Sequence, residues 1–227
     1  MCGRFVLMTV GRELAERFQL METPSLVPRY NVAPTQQIAV IRSETETGRR
    51  RLGMLKWGLI PFWAKDVSIG SKMINARSET VAEKPAFRAA FKHRRCLIPA
   101  DGFYEWKTEQ GIRQPFFVYM ADGKPFAFAG LWEMWKDPDG NPVESCTILT
   151  TDANALLLPI HDRMPAILSP EEYGEWLSRD IKDVSRLKAL LHARAPEEMA
   201  LRRANPKVNS PSYEGPECLQ APRQGSE

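Results

Sequence analysis

The sequence predicts a single α+β domain built on a curved, mostly antiparallel, barrel-like β-sheet with peripheral helices. Three observations predict it. Apolar, β-branched and aromatic runs crowd the middle of the chain, separated by short polar turns that suit hairpins. Helical periodicity is confined to short amphipathic stretches. No repeat or compositional break divides residues 1–209, and 227 residues with 43% hydrophobic content are enough for one substantial core.

Taken in order, Cys2 to Met8 reads as a short strand, after which Thr9 can cap a helix whose apolar face uses Val10, Leu14 and Phe18. Pro24, Pro28 and Pro34 interrupt regular structure, so Arg29 to Pro34 is expected to be irregular. Ile38 to Ile41 should pair with Arg51 to Trp57 across a polar turn, Glu44 to Gly48. An aromatic loop then runs from Gly58 to Lys72. A helix over Pro85 to Lys92 has proline near its first position and Phe87, Ala90 and Phe91 on one side.

The strands of the middle are Cys96 to Ile98, Gly102 to Trp106, Pro115 to Met120, Phe126 to Trp135 and Val143 to Thr151. Turns at Ala121–Lys124 and Asp137–Asn141 make neighbours antiparallel. Ser169-Pro170-Glu171-Glu172 is a capping-box helix start, and Val184, Leu187, Leu190 and Leu191 mark another amphipathic helix. After Asn209 the Pro, Gly and Ser content predicts a loose tail over residues 210–227.

No apolar run is long enough to cross a bilayer, and Met1-Cys2-Gly3-Arg4 is not followed by the apolar stretch of a secretory signal. A cytoplasmic protein is expected, nucleoid-associated in a bacterium or nuclear in a eukaryote. The cysteines Cys2, Cys96, Cys146 and Cys218 form no CxxC pair or Cys/His cluster, so neither a metal nor another cofactor is expected. A formal charge of +3 permits an anionic partner without requiring one. The clusters Arg49-Arg50-Arg51, Lys92-His93-Arg94-Arg95 and Arg202-Arg203 are each as compatible with a solvated face.

Cys2 stands out by position. Methionine aminopeptidases remove Met before a small residue, which would leave a 1,2-aminothiol whose amine titrates near 7.7–8.0. Such an amine attacks an aldehyde to give an imine, and the neighbouring sulfur can close a thiazolidine ring intramolecularly. The thiolate can instead attack an amide with the α-amine as base. An ordinary strand cysteine is the bland reading. Asn75 and Arg77 place an amide and a phosphate-binding guanidinium beside each other, although Arg77 can equally pair with Glu79 or Glu83. On a strand, Glu105 shares a face with Phe103, and enclosure there would raise its pKa into the range of an acid/base group. A solvent-facing glutamate is the commoner case. His161 has the most catalytic context of the three histidines, with Arg163 beside it to hold a phosphate. Trp57 and Trp63 offer faces for base stacking, a task that core tryptophans do not perform.

In order along the chain, Met1-Cys2-Gly3-Arg4-Phe5, Tyr30-Asn31-Val32-Ala33-Pro34-Thr35, Trp57-Gly58-Leu59-Ile60-Pro61, Asn75 to Thr80, Cys96 to Trp106, His161 to Pro165 and Val208-Asn209 resemble the SOS-response-associated peptidase (SRAP) family of abasic site processing proteins. The resemblance covers nearly the whole of residues 1–209. It implies a monomer that traps abasic sites in single-stranded DNA as a thiazolidine on Cys2. Asn75 would then hold the amine and the linkage, while Glu105 and His161 move protons. Arg77 and Arg163 would anchor phosphates, with Arg4 as a further candidate. The family also implies abasic-site lyase activity and a peptidase activity confined to exposing the cysteine. A cysteine amidohydrolase would use Cys2, Asn75 and Glu105 without the arginines, and a non-enzymatic single-strand-binding module would keep the arginines without using Cys2.

Overall fold

The computed structural model describes residues 2–44 and 48–221. In chain order the strands are β1 (Phe5–Leu7), β2 (Arg29–Val32), β3 (Gln37–Ser43), β4 (Arg50–Trp57), β5 (Asn75–Arg77), β6 (Arg95–Ala100) and β7 (Gly102–Glu109). They continue as β8 (Ile112–Met120), β9 (Phe126–Lys136), β10 (Pro142–Asp152), β11 (Arg163–Pro165), β12 (Ile167–Leu168) and β13 (Met199–Arg203). The α-helices are short: α1 (Gly11–Phe18), α2 (Arg88–His93), α3 (Glu172–Leu177) and α4 (Val184–Ala189).

Five strands close on themselves. β4 pairs with β3, β3 with β6, β6 with β9 and β9 with β10, and β10 returns to β4. Closure leaves no free edge in this barrel. The other ladders of the ring are antiparallel, as expected, but the seam between β10 and β4 is parallel, with Ser145 opposite Lys56 and Cys146 opposite Trp57. A long crossover, not a hairpin, joins those two strands, and parallel pairing requires one. A second sheet has the order β13-β8-β7-β1-β2.

The chain passes from barrel to second sheet between β6 and β7. Gly102 sits at the passage, where an added Cβ would lie 2.4 Å from the Phe117 ring, so only glycine fits. Aromatic packing joins the two layers. The Phe5 ring of the second sheet meets Trp57 at 5.3 Å and Phe128 at 5.9 Å, and Phe128 also meets Phe103 at 6.0 Å. These rings are buried within one continuous core.

Several local expectations change in the structure. Thr9 does not cap α1: its hydroxyl donates to Asp101 Oδ1 at 2.6 Å, and Asp101 Oδ2 accepts the Thr9 and Met8 backbone N–H groups, so the helix starts later at Gly11. Residues 29–32 are a strand because β1 supplies a partner edge, with Phe5 opposite Val32. The helix after Pro85 begins only at Arg88. The capping box survives in part, since the Ser169 N–H donates to Glu172 Oε2 at 2.6 Å ahead of α3. The tip of the β3–β4 turn falls on residues 45–47, which lie outside the described residues.

Composition predicts a loose tail from residue 210, yet residues 210–221 dock on the second sheet. Cys218 is buried with Val6, Tyr104, Phe117, Ala204 and Val208, and the Ser210 and Tyr213 carbonyls both accept from Asn31 Nδ2. A few well-placed apolar and hydrogen-bonded groups outweigh the average composition of such a segment. Residues 222–227 lie outside the described residues.

Candidate active site

Cys2 is fully buried just ahead of β1, at the junction of barrel and second sheet. Main-chain bonds hold this end of the chain: the Tyr104 N–H donates to the Arg4 carbonyl at 2.9 Å and the Asp101 N–H to Val6 at 2.8 Å. From the other side comes Asn75, placed by the parallel pairing of β5 with β10, in which it lies opposite Ile148. Its Nδ2 donates to the Cys2 carbonyl at 2.7 Å. Its Oδ1 is buried and has no hydrogen-bond partner among the described residues. A buried amide oxygen left in that state costs about 1–3 kcal/mol, which marks it as an acceptor for something else.

Glu105 completes this centre. Alternation along β7 turns Phe103 and Glu105 toward the core and Tyr104 to the opposite face, where it joins the tail. The carboxyl is 2% exposed, and burial pushes its pKa up to about 7. Burial, and secondarily the field of Glu105, holds the Cys2 thiol well above its ordinary pKa. Cys2 therefore rests as a protonated thiol beside a carboxyl poised near neutrality.

His161 lies on the loop between β10 and β11. The pairing of Asp152 with Arg163 fixes that loop, as does the bond from the Ala153 N–H to the Asp162 carbonyl. Its Nδ1 accepts the Arg163 backbone N–H at 2.9 Å and lies 2.8 Å from Asp162 Oδ1. One nitrogen cannot accept the first bond and donate the second at once. Burial keeps the imidazole below its ordinary pKa, so the ring is held neutral. β10 thus serves as a common rail, with Asn75 beside its middle and the His161 loop at its end.

A family model described as SOS response associated peptidase (SRAP) matches residues 1–211. The chain belongs to the SRAP family. Among its relatives, the abasic site processing protein YoqW of Bacillus subtilis (strain 168) is 44% identical over 225 residues, covering 97% of this chain and all of the relative. The abasic site processing protein YedK of Escherichia coli (strain K12) is 35% identical, covering 83% of this chain and 86% of its own. In Rattus norvegicus the abasic site processing protein HMCES is 34% identical, covering 85% of this chain and 64% of its own. A crystal structure of a protein from Bacteroides thetaiotaomicron superposes with a TM-score of 0.88 at 28% identity, covering 97% of this chain and all of the other.

Against this SRAP frame, the residues singled out from sequence divide into two groups. Arg77 is exposed at the end of β5, with no side-chain hydrogen bond or ion pair among the described residues. Trp63 is 49% exposed beside Phe62 at 61%, and both remain available to a ligand. Three others are occupied. Trp57 faces inward on β4, fully buried, and its Nε1 donates to the Ile74 carbonyl at 2.9 Å, so it offers no face to a base. Arg4 is buried and bonded to Asn31 Oδ1 and the Val208 carbonyl, each at 2.7 Å. Arg163 is buried too, forked onto Glu79 at 2.7 and 3.0 Å, with Asp152 Oδ1 and the Thr150 carbonyl each at 2.6 Å. Although burial opposes its charge, bonding to Glu79 and Asp152 holds the Arg163 guanidinium above its ordinary pKa.

Sequence reasoning missed the groups that hold these arginines. Glu79 appeared only as a partner for Arg77, its neighbour but one, and Asn31 only as part of a motif. Pairings such as Arg163 with Glu79, 84 residues apart, leave no local signal.

Two outcomes follow. Arg163→Ala is expected to lower the unfolding free energy by about 1–2 kcal/mol, because the Thr150 carbonyl loses its side-chain donor and the buried stem its packing while the exposed Glu79 and Asp152 carboxylates stay solvated, whereas Arg77→Ala should stay within about 0.5 kcal/mol of wild type. Urea melts compare them, and equal stabilities would contradict the assignment. Glu105 keeps its proton to higher pH in the folded state than in the unfolded chain, so its ionisation weakens the fold as pH rises from 4.5 to about 7. Glu105→Gln should therefore match wild type near about pH 4 and exceed it near about pH 8, by up to about 3 kcal/mol. A variant that gains nothing at the higher pH would show that Glu105 is not held in this way.

Proposed function

We propose that this SRAP protein recognises abasic sites in single-stranded DNA and captures them on Cys2 once Met1 has been removed. The observation that carries the reading is the half-buried Asn75 bonded to the buried Cys2, whose thiol feels the field of the buried Glu105. The names of relatives that match across nearly the whole chain support the substrate.

The chemistry follows from the order of bonds. The amine of Cys2 adds to the aldehyde carbon of the ring-opened sugar, and loss of water gives an imine. The sulfur then adds to the same carbon and the thiol proton departs, closing a thiazolidine. Glu105, with its pKa near 7, can give a proton to the departing water and later take the thiol proton. Asn75 holds the Cys2 carbonyl through Nδ2, which leaves Oδ1 to accept from the amine. The geometry is preset, so ring closure is an intramolecular step that needs little reorganisation.

The imine has a second course. It acidifies the adjacent carbon, and transfer of that proton to the Glu105 carboxylate, with the 3′ phosphate departing on the C–O bonding pair, breaks the strand. The neutral His161 ring can steady the leaving phosphate through a hydrogen bond without giving up a proton. Arg77 binds a phosphate at the rim, and Trp63 stacks on a base. The peptidase activity is confined to exposing the Cys2 amine. A thiol kept protonated by burial argues against a cysteine amidohydrolase working through a resting thiolate.

Incubation with a single-stranded oligonucleotide holding one abasic site, followed by denaturing electrophoresis, tests the proposal. Wild-type protein should give a heat-stable linkage, and Cys2→Ala should give none while still binding undamaged single strands. A Cys2→Ala protein that forms an equally stable linkage would refute the assignment of the nucleophile.

A further inference from the structure

The backbone of Arg4, two residues beyond Cys2, is clamped from two directions. Its carbonyl accepts the Tyr104 N–H and lies 3.8 Å from Cys2 Sγ. Its guanidinium reaches the other way, to Asn31 and the Val208 carbonyl, with the Trp106 ring centroid 5.9 Å away. Asn31, fully buried on β2, is the hub of this arrangement. Its Oδ1 takes the Arg4 bond, and its Nδ2 donates to Tyr213 O at 2.7 Å and Ser210 O at 2.9 Å.

Those carbonyls belong to a strap, residues 204–219, that crosses the outer face of the second sheet. Val208 and Cys218 seat it on Val6, Tyr104 and Phe117. Trp106 Nε1 donates to Asn209 Oδ1 at 2.6 Å, and Glu214 accepts from Arg29 Nε at 3.1 Å and from the Tyr30 N–H. Tyr104 OH closes the circuit by donating to the Tyr30 carbonyl at 2.8 Å. One network therefore connects the C-terminal segment to the strand that carries Cys2.

The energetics are those of placement more than of stability. The Arg4 guanidinium is buried, its hydrogen bonds go to neutral oxygens, and its Nε has no hydrogen-bond partner among the described residues. Burial accordingly depresses its pKa. Apolar side chains of similar volume often serve stability as well as buried charged networks do. What such side chains lack is direction: hydrogen bonds fix one geometry where apolar contacts permit several.

We propose that Asn31 is a positioning residue which, through Arg4 and the strap 204–219, sets Cys2 in register with Asn75 and Glu105. The proposal rests on the reading of Cys2 as the nucleophile and deepens it: the C-terminal segment belongs to the reacting machinery without touching the sugar.

The test separates capture rate from binding and from folding. In the full chain, Asn31→Ala removes the hub. Glu214→Ala removes only an exposed carboxylate that ties the strap to β2, and so guards against misfolding of the first variant. Each is compared with wild type for its affinity for an undamaged single strand, its melting temperature, and its first-order rate of linkage at saturating abasic oligonucleotide. Affinity should stay within about twofold, while the rate falls roughly tenfold or more for Asn31→Ala and by a smaller factor for Glu214→Ala, because misplacement penalises the reacting geometry alone. Wild-type rates in both variants would overturn the proposal. So would rate losses that only mirror losses of affinity and folded protein, which is what a merely structural role predicts. Absence of linkage in wild type as well would fail the functional reading itself, an outcome distinct from unchanged rates in the variants.

Discussion

The hydrogen bond from Asn75 Nδ2 to the Cys2 carbonyl, 2.7 Å long and spanning 73 residues, carries a demand that few other contacts in this protein carry. Cys2 lies outside every strand and helix, since β1 begins only at Phe5, so no ladder of its own holds it. Its place has to come from partners far away in sequence. Asn75 can meet that demand only if β5 is fixed, β5 is fixed by its parallel pairing with β10, and β10 is fixed because the barrel closes through it. The second sheet meets the same demand from the opposite side, through β7 and the strap. Barrel, second sheet and tail are the supports that hold Cys2 in place.

The same placement explains why the centre is unfavourable in isolation. Glu105 is buried where its charge is disfavoured, Asn75 Oδ1 is buried without a partner, and the Cys2 thiol is held protonated. The first two features cost free energy in the folded state near neutral pH, and the aromatic seam of Phe5, Trp57, Phe103 and Phe128 is where the core offsets that cost. Residues whose removal would relieve such strain cluster where chemistry is proposed, as expected of preorganised sites. Arg163 belongs to a different class. Forked onto Glu79 and bonded to Asp152 and Thr150, it sets the loop that presents His161, and its charge is already spent on the protein.

Much of the fold was legible in the sequence because its signals are local. Alternation located β7 and the inward turn of Glu105, the polar turn at Asp137–Asn141 located the β9–β10 hairpin, and Ser169 to Glu172 marked the start of α3. The turn at Ala121–Lys124 makes no hairpin: it carries the chain from β8 in the second sheet to β9 in the barrel, which do not pair. Barrel closure was not legible in detail, since the parallel seam between β4 and β10 depends on strands almost 90 residues apart. The candidate centre was legible as motifs but not as contacts. Trp57 illustrates the limit: an aromatic beside glycine and proline reads alike whether it stacks on a ligand or fills a core, and only the inward phase of β4 decides for the core. Arg4 and Arg163 are bonded within the fold, where the sequence read them as phosphate contacts, for a related reason. A guanidinium suits phosphate and backbone carbonyls equally, and no sequence pattern tells which acceptor lies in reach. The tail misled because composition averages over a segment whose docking rests on Val208, Cys218 and two carbonyls.

The central claim is that Cys2, with its amine freed, is where the sugar becomes bonded. Protein incubated with an abasic single-stranded oligonucleotide, then digested with protease and nuclease, gives a modified peptide whose mass and fragmentation identify the residue and the bond. The account predicts a peptide that begins at Cys2, lacks Met1, and carries the sugar remnant with loss of one water, in a form that borohydride does not change. A remnant on a lysine, or on a peptide that retains Met1, would contradict it.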